Sequence, residues 1–296
     1  MSRADHPCRA TFLFATRDQP GLVARVATFF YERNLNIVEA ANCSDAHGGG
    51  DARFFLRMSV DIAEHRPEAD QGATRRRLED DFDAMASDLG ATWSVGYTDV
   101  VARVAVLVTR ENSCLYDLVL RQRLGELPCE IPLIISNHTT LEDVANQFDI
   151  PYHALPVTDA TRPHQEQQLL ELFAAHRIDV VVLARYMQIM SDDFLARAPP
   201  VINIHHGFLP AFQGAKPYHQ AYAHGVKLIG ATAHYATKDL DQGPIIEQDV
   251  VRVDHRMGPA DLARVGRDVE RLVLARAVRA HLERRIIIDG RRTIVL

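Results

Sequence analysis

Cysteine is scarce and scattered. Four occur in 296 residues, Cys8, Cys43, Cys114 and Cys129, and no two form a CxxC pair. That excludes a zinc knuckle or a dithiol redox couple and leaves reduced thiols as the plain expectation. No long uncharged apolar run is present, so no membrane span and no membrane partner are expected. The first ten residues, MSRADHPCRA, hold no apolar stretch of the kind a secretory signal needs, which points to a cytoplasmic protein. Positive charge is not in excess: the formal net charge is −6, which argues against a general nucleic-acid binder. There is no HExxH pair. His205 and His206 are adjacent, so on a strand they face opposite ways and cannot easily share an ion; no metal site is expected. No GxGxxG follows an apolar strand, so a nicotinamide cofactor is not indicated and no cofactor is expected. Internal repeats and low-complexity segments are also missing.

What is present is a chain long enough for two domains, with 47% hydrophobic residues, sufficient for sizeable cores. Residues 9–17, RATFLFATR, read as a strand. The turn Asp18-Gln19-Pro20-Gly21 follows, with Pro20 suited to the first position of a helix. Leu22, Val23, Val26, Phe29 and Phe30 then recur at helical spacing. Strands are predicted over 36–44 and 52–62, divided by a Gly48-Gly49-Gly50 loop. A charged helix over 73–89 carries Leu78, Phe82, Met85 and Leu89 on one face, and 91–98 closes the set as a strand. This βαββαβ order packs as a four-stranded antiparallel sheet with helices on one face, a ferredoxin-like domain over residues 1–98.

From Asp99 the pattern changes. Val101–Val108 is a near-continuous apolar strand, as in a buried parallel sheet. Further strands are predicted at Ile131–Ile135, Tyr152–Val157, Val180–Leu183, Val201–Ile204 and Leu228–Tyr235. Helices are predicted over 115–124, 140–148 and 163–176, with a long one from Gly258 to about Arg285 and a terminal hairpin around Asp289-Gly290. Alternating strands and helices predict an α/β, doubly wound, mostly parallel Rossmann-like sheet over 99–296. Ligands of such sheets sit beyond the carboxyl ends of the strands, where Asn203 and His205 fall.

The chemistry concentrates between Val201 and Gln248. Asn203 and His205 are two apart and share one strand face. The next strand runs into Asp239-Leu240-Asp241-Gln242-Gly243-Pro244, a turn with two carboxylates. An amide, an imidazole and a carboxylate at strand ends can polarise a carbonyl and move protons. Each also has a plain structural reading: a satisfied strand Asn, a packing His, a turn Asp.

Asn203-Ile204-His205 with Leu209-Pro210, followed by Leu240-Asp241-x-Gly243-Pro244-Ile245, resembles the signature of the formyltransferases that use 10-formyltetrahydrofolate. His205-His206, Pro217-Tyr218-His219-Gln220-Ala221 and Gly230-Ala231-Thr232-Ala233-His234-Tyr235 extend the resemblance toward the branch that hydrolyses this folate to formate and tetrahydrofolate. His206 stands where the transferases often carry Pro. Gly207 departs from the hydrolytic branch, which usually carries Ser there. The resemblance implies Asn203, His205 and Asp241 as catalytic residues. It further implies that Tyr186, Met187, Gln188, Ile189 and His234 contact the folate, although Met and Ile are elsewhere mostly packing residues. Arg185, Lys216 and Lys227 are candidates for an anionic folate tail by position alone. The alternatives are formyl transfer to an amine such as a glycinamide ribonucleotide, or a non-catalytic amino-acid sensor.

The stretch TRDQPGLVARVATFF with Leu35-Asn36-Ile37 resembles an ACT domain, an amino-acid-sensing module that pairs with its own kind. The resemblance implies an amino-acid effector at Asp18 and Gly21 and a homo-oligomer; a simple helix start is the other reading of those two residues.

Overall fold

The computed structural model describes residues 8–46, 52–62, 68–211 and 217–296, and the chain divides into two compact units. The predicted Gly48–Gly50 loop and Lys216 lie outside the described residues.

The first unit holds residues up to Val100 together with 284–287 and 294–296, tail residues that the sequence pattern alone leaves with the second. Its elements are β1 (Arg9–Arg17), α1 (Leu22–Glu32), β2 (Asn36–Asp45), β3 (Arg53–Asp61), α2 (Glu68–Asp88) and β4 (Thr92–Tyr97). The sheet order is β2-β3-β1-β4, with every pair antiparallel. This is the expected βαββαβ arrangement, and it fits an ACT-like domain. One sheet face places Phe12, Phe14, Phe54, Leu56 and Met58 against Phe29 and Phe30 of α1 and Phe82 of α2. Phe82 lies 4.6 Å from the Phe12 ring, 4.9 Å from Trp93 and 5.2 Å from Phe29, an interlocked aromatic core. The central strands are buried on both faces, unlike the alternating edge strands β2 and β4. On the face away from the helices Arg57 donates from Nε to the Arg284 carbonyl at 3.1 Å.

The second unit comprises 101–283 and 288–293. Its elements are β5 (Ala102–Val108), α3 (Ser113–Arg123), β6 (Cys129–Ser136), α4 (Glu142–Gln147), β7 (Tyr152–Ala154), α5 (Arg162–His176), β8 (Val180–Leu183), α6 (Asp192–Arg197), β9 (Val201–His205), α7 (Pro217–Ala223), β10 (Leu228–Tyr235), β11 (Ile245–Arg252) and α8 (Pro259–Leu282). The tail pairs β12 (Ile286–Asp289) with β13 (Arg292–Val295), and Gly290 takes a φ of 61° in the turn between them. The seven-stranded sheet runs β11-β10-β9-β8-β5-β6-β7. Pairs from β7 to β9 are parallel, and β10 and β11 are antiparallel. The doubly wound, mostly parallel expectation is met. Strand order reverses between β5 and β8, which makes the switch point of the fold.

Three elements lie beyond the sequence reading. The helices α6 and α7 have six and seven residues, too few for a periodic signal. The strand β11, IIEQDVVR, is a sheet edge whose charged residues need no partner face. No helix among the described residues is long and apolar enough to cross a membrane.

Candidate active site

Asn203, His205, Asp241, His234 and the Tyr186–Ile189 segment lie in the second unit, around the carboxyl ends of β8 and β9. Leu183 of β8 is in register with Asn203 of β9. The segment Ala184–Met190 therefore leaves the sheet beside Asn203. On β9, Val201, Ile202 and Ile204 are buried and anchor the strand. Asn203 lies directly opposite His234 of β10, and His205 opposite Thr232. Opposed residues share a face, so four polar side chains emerge together.

His234 is oriented from behind. Its Nδ1 is 2.9 Å from the Tyr235 carbonyl, which can only accept, so Nδ1 carries the proton. Nε2 then holds a lone pair and accepts from Asn203 Nδ2 at 3.1 Å. Burial pushes His234 below the ordinary imidazole range, which favours this neutral form. The hydrogen bond fixes the Asn203 amide and leaves its second N–H directed by the same geometry.

Asp241 comes from the turn after β10. Its backbone is left-handed, with φ 56°, a conformation that Asp and Asn tolerate better than most residues. The Gln242 N–H donates to the Asp239 carbonyl at 3.1 Å and tightens the turn. Gly243 is required: a Cβ there would stand 1.7 Å from the Tyr235 carbonyl oxygen. The turn thus folds flat against the end of β10 and directs Asp241, 10% exposed, at the β9 face. Asp241 Oδ2 lies 3.3 Å from His205 Nδ1 and Oδ1 lies 3.9 Å from His234 Nε2. The three residues whose catalytic role is expected, Asn203, His205 and Asp241, are brought together.

β9 ends at His205, so the alternation expected to separate His205 from His206 stops there. The two rings are 5.5 Å apart, and the His206 ring is 6.0 Å from that of Tyr218. Burial, then the Arg185 guanidinium and the His205 ring, push His206 down to about 3. Among the described residues no group of His, Cys, Asp or Glu side chains is arranged to hold a metal ion.

Two positioning residues escaped sequence reasoning. Thr232 Oγ1 donates to the Gly207 carbonyl at 2.9 Å and accepts from the Leu209 N–H at 3.0 Å. Gln248 Nε2 donates to Thr232 Oγ1 at 2.9 Å and to the Leu209 carbonyl at 3.0 Å. Together they brace the loop that leaves His205. A Thr in an otherwise small and apolar strand was the one available signal.

The expected folate contacts divide. Tyr186 is 4% exposed, part of the core, and its hydroxyl accepts from Gln165 at 2.8 Å. Met187 and Ile189 are 55% and 58% exposed, Gln188 is half-buried, and the Met187 N–H donates to Thr109 Oγ1. Arg185 is not available to an anionic tail: it is mostly buried, 3.2 Å from Glu270. Lys227 is exposed at the start of β10, the far end of that strand from His234. In the first unit, Gly21 opens α1 with φ 89° and no side chain caps the helix. The Asp18 N–H donates to the Ala52 carbonyl.

Residues 102–278 match the formyl transferase domain. The formyltetrahydrofolate deformylase of Synechocystis sp. is 49% identical over 286 residues, covering 97% of this chain and 98% of that protein. The Bacillus subtilis formyltetrahydrofolate deformylase is 44% identical, covering 97% and 93%. Among solved structures, a formyltetrahydrofolate deformylase from Pseudomonas syringae pv. tomato superposes with a TM-score of 0.90 at 41% identity, covering 99% of this chain and 96% of that one. A glycinamide ribonucleotide transformylase from Symbiobacterium toebii reaches 0.63 at 31% identity, covering 66% of this chain and 94% of its own. The site on β9 and β10, the doubly wound sheet that carries it and the full-length similarity agree: this chain belongs to the formyltetrahydrofolate deformylase family.

Proposed function

We propose that this chain hydrolyses 10-formyltetrahydrofolate to formate and tetrahydrofolate, with Asn203, His205 and Asp241 as the catalytic residues. The observation that carries the reading is the meeting of His205 Nδ1 with Asp241 Oδ2 at 3.3 Å, on the face that Asn203 shares. Similarity to formyltetrahydrofolate deformylases over nearly the whole chain supports it.

The water oxygen bonds to the formyl carbon while Asp241 accepts the water proton. The carbonyl becomes an oxyanion. Asn203, its amide set by His234, donates to that oxygen. His205 turns Nδ1 toward Asp241, so Nε2 is the nitrogen that meets the substrate. When protonated, it stabilises the oxyanion and then gives its own proton to the leaving nitrogen as the carbon–nitrogen bond breaks, and the proton taken up by Asp241, 3.3 Å away, restores it. The reaction consumes only folate and water, so no cofactor is required. Met187, Gln188 and Ile189 form the surface for the folate ring, with Tyr186 and Gln165 holding that segment from below.

The assay is formate release from 10-formyltetrahydrofolate without any amine. Turnover that begins only when an amine is added contradicts the reading.

For the first unit we propose an amino-acid effector at the Asp18–Gly21 turn. The uncapped N–H groups at the start of α1 suit a carboxylate. The exposed β2 edge supports a homo-oligomer, and a cytoplasmic location is part of the same reading. Calorimetric titration of the full chain with the twenty amino acids tests the effector; no heat from any of them removes it.

A further inference from the structure

The crevice at a switch point is where a doubly wound sheet ordinarily receives a ligand. Here that place lies beyond the carboxyl ends of β5 and β8, and charged residues follow both ends closely: Glu111 three residues after β5 and Arg185 two after β8. Arg185, two residues past β8, takes a left-handed backbone with φ 64°. Its guanidinium meets Glu270 of α8 at 3.2 Å, and the Glu270 side chain is wholly buried. The Tyr218 hydroxyl donates to the other Glu270 oxygen. Gly266, one turn before Glu270, makes room for Tyr218, because a Cβ there would stand 2.0 Å from its hydroxyl oxygen.

The loop after β5 supplies the second half. The helix α3 has no side-chain cap from Asn112. Instead the Glu111 carboxylate accepts from the Ser113 N–H at 3.4 Å, and Arg267 of α8 lies 3.9 Å from Glu111. A helix N-terminus beside a switch point is a ready anion position. Here the anion is the chain's own carboxylate. A phosphate brought to it would meet the Glu111 carboxylate, while Arg185 is paired with the buried Glu270 at 3.2 Å and Arg267, 39% exposed, faces Glu111 at 3.9 Å.

We infer that the Arg185–Glu270 pair and Glu111 close the switch-point crevice to a phosphorylated amine, so that water is left as the formyl acceptor. This rests on the hydrolytic reading of Asn203, His205 and Asp241. It assigns Glu111, Arg185 and Glu270 to acceptor specificity rather than to the bond-making step. Rejection of a competitor by misplaced charge and volume is a general route to specificity.

The test uses the full chain and glycinamide ribonucleotide, the acceptor that the transformylase neighbour carries in its name. Three proteins are compared with the parent: Glu111→Gly, Arg185→Gly/Glu270→Gln, and the triple variant. The double change removes both charges together and suits the left-handed backbone at residue 185, while the amide oxygen introduced by Glu270→Gln still accepts from Tyr218. Calorimetric titration of the ribonucleotide is expected to give an affinity at least about tenfold higher for the triple variant than for the parent. Glu111→Gly, whose side chain is only partly buried, is expected to show a smaller gain in the same direction. Equal affinity in the parent and in a folded Glu111→Gly or triple variant overturns the inference, whether that affinity is measurable or absent. Formate release by the parent without acceptor is recorded in parallel. Its absence defeats the hydrolytic reading, whereas its presence with acceptor-blind variants defeats this inference alone.

Discussion

Replacing Asp241 with Asn isolates the proposed catalytic charge. The change keeps the size and shape of the side chain. Asn also tolerates the left-handed backbone that Asp241 adopts, so the turn is preserved. What is lost is the ability to take a proton from water and the attraction for an imidazolium at position 205. Opposite unit charges at the observed 3.3 Å separation attract by roughly 5 kcal/mol at an effective dielectric of about 20. If rearranged dipoles recover about half, roughly 2.5 kcal/mol is lost from the transition state, or nearly two decades in rate. Removing a positioned acid–base group costs about 10²–10⁴-fold on its own account. The expected kcat is therefore at least about a hundredfold below the parent. KM should change little, since the proposed folate surface lies at Met187–Ile189. The assay is formate release at saturating 10-formyltetrahydrofolate, with a thermal melt of the same sample. A folded Asp241→Asn protein with near-parental kcat would refute the reasoning and leave Asp241 as a turn residue only.

Gly243→Ala should fail for a different reason. The added methyl would stand 1.7 Å from the Tyr235 carbonyl oxygen, so the backbone must move; a loss of at least about 2 kcal/mol and roughly 4–8 °C in Tm is expected by thermal unfolding, and an unchanged melt would disprove the close approach. His206 should shape acid stability. Its folded imidazole is pushed down to about 3, while in the unfolded chain it protonates near 6.5. The unfolded state binds more protons between those values, so stability is lost as pH falls through that window and is unaffected above it. By pH 4.5 the loss is about 2–3 kcal/mol. Denaturant titrations at pH 7.5 and 4.5 should show His206→Gln losing less stability than the parent by that amount, and equal losses would contradict the assignment.

Legibility of the sequence followed the range of the interactions. Asn203 and His205 were readable together because strand alternation places residues two apart on one face. The parallel sheet was readable from near-continuous apolar runs such as Val101–Val108. Asp241 could be placed in a turn, but not aimed: its direction depends on the left-handed backbone and on Gly243 lying against Tyr235, neither of which leaves a pattern. Tyr186 read as a folate contact, yet a hydrogen bond from Gln165, twenty-one residues earlier, holds it in the core. The partner of Arg185 lies 85 residues away. One signal for it existed, since Glu270 interrupts an apolar and small-residue stripe of α8 formed by Leu262, Gly266, Leu274 and Val278 at four-residue spacing, all buried. A carboxyl group in the middle of such a stripe needs buried partners, here Arg185 and Tyr218, although the sequence does not say which.

The division of the tail between units has a consequence for synthesis. Residues 284–287 and 294–296 belong to the first unit, where the Arg284 carbonyl receives the Arg57 side chain and the Arg284 side chain lies against Gly96. Domains generally fold in order as the ribosome delivers them. Here the unit whose translation begins first is completed only after the second has largely been made, because residues 284–287 and 294–296 follow residues 101–283 in the chain. Until then Arg57, at the centre of β3, has no carbonyl from residue 284 to meet. A single cut after residue 100 therefore does not separate the two units into complete halves, and a nascent chain carries an unfinished first unit while residues 101–283 are made.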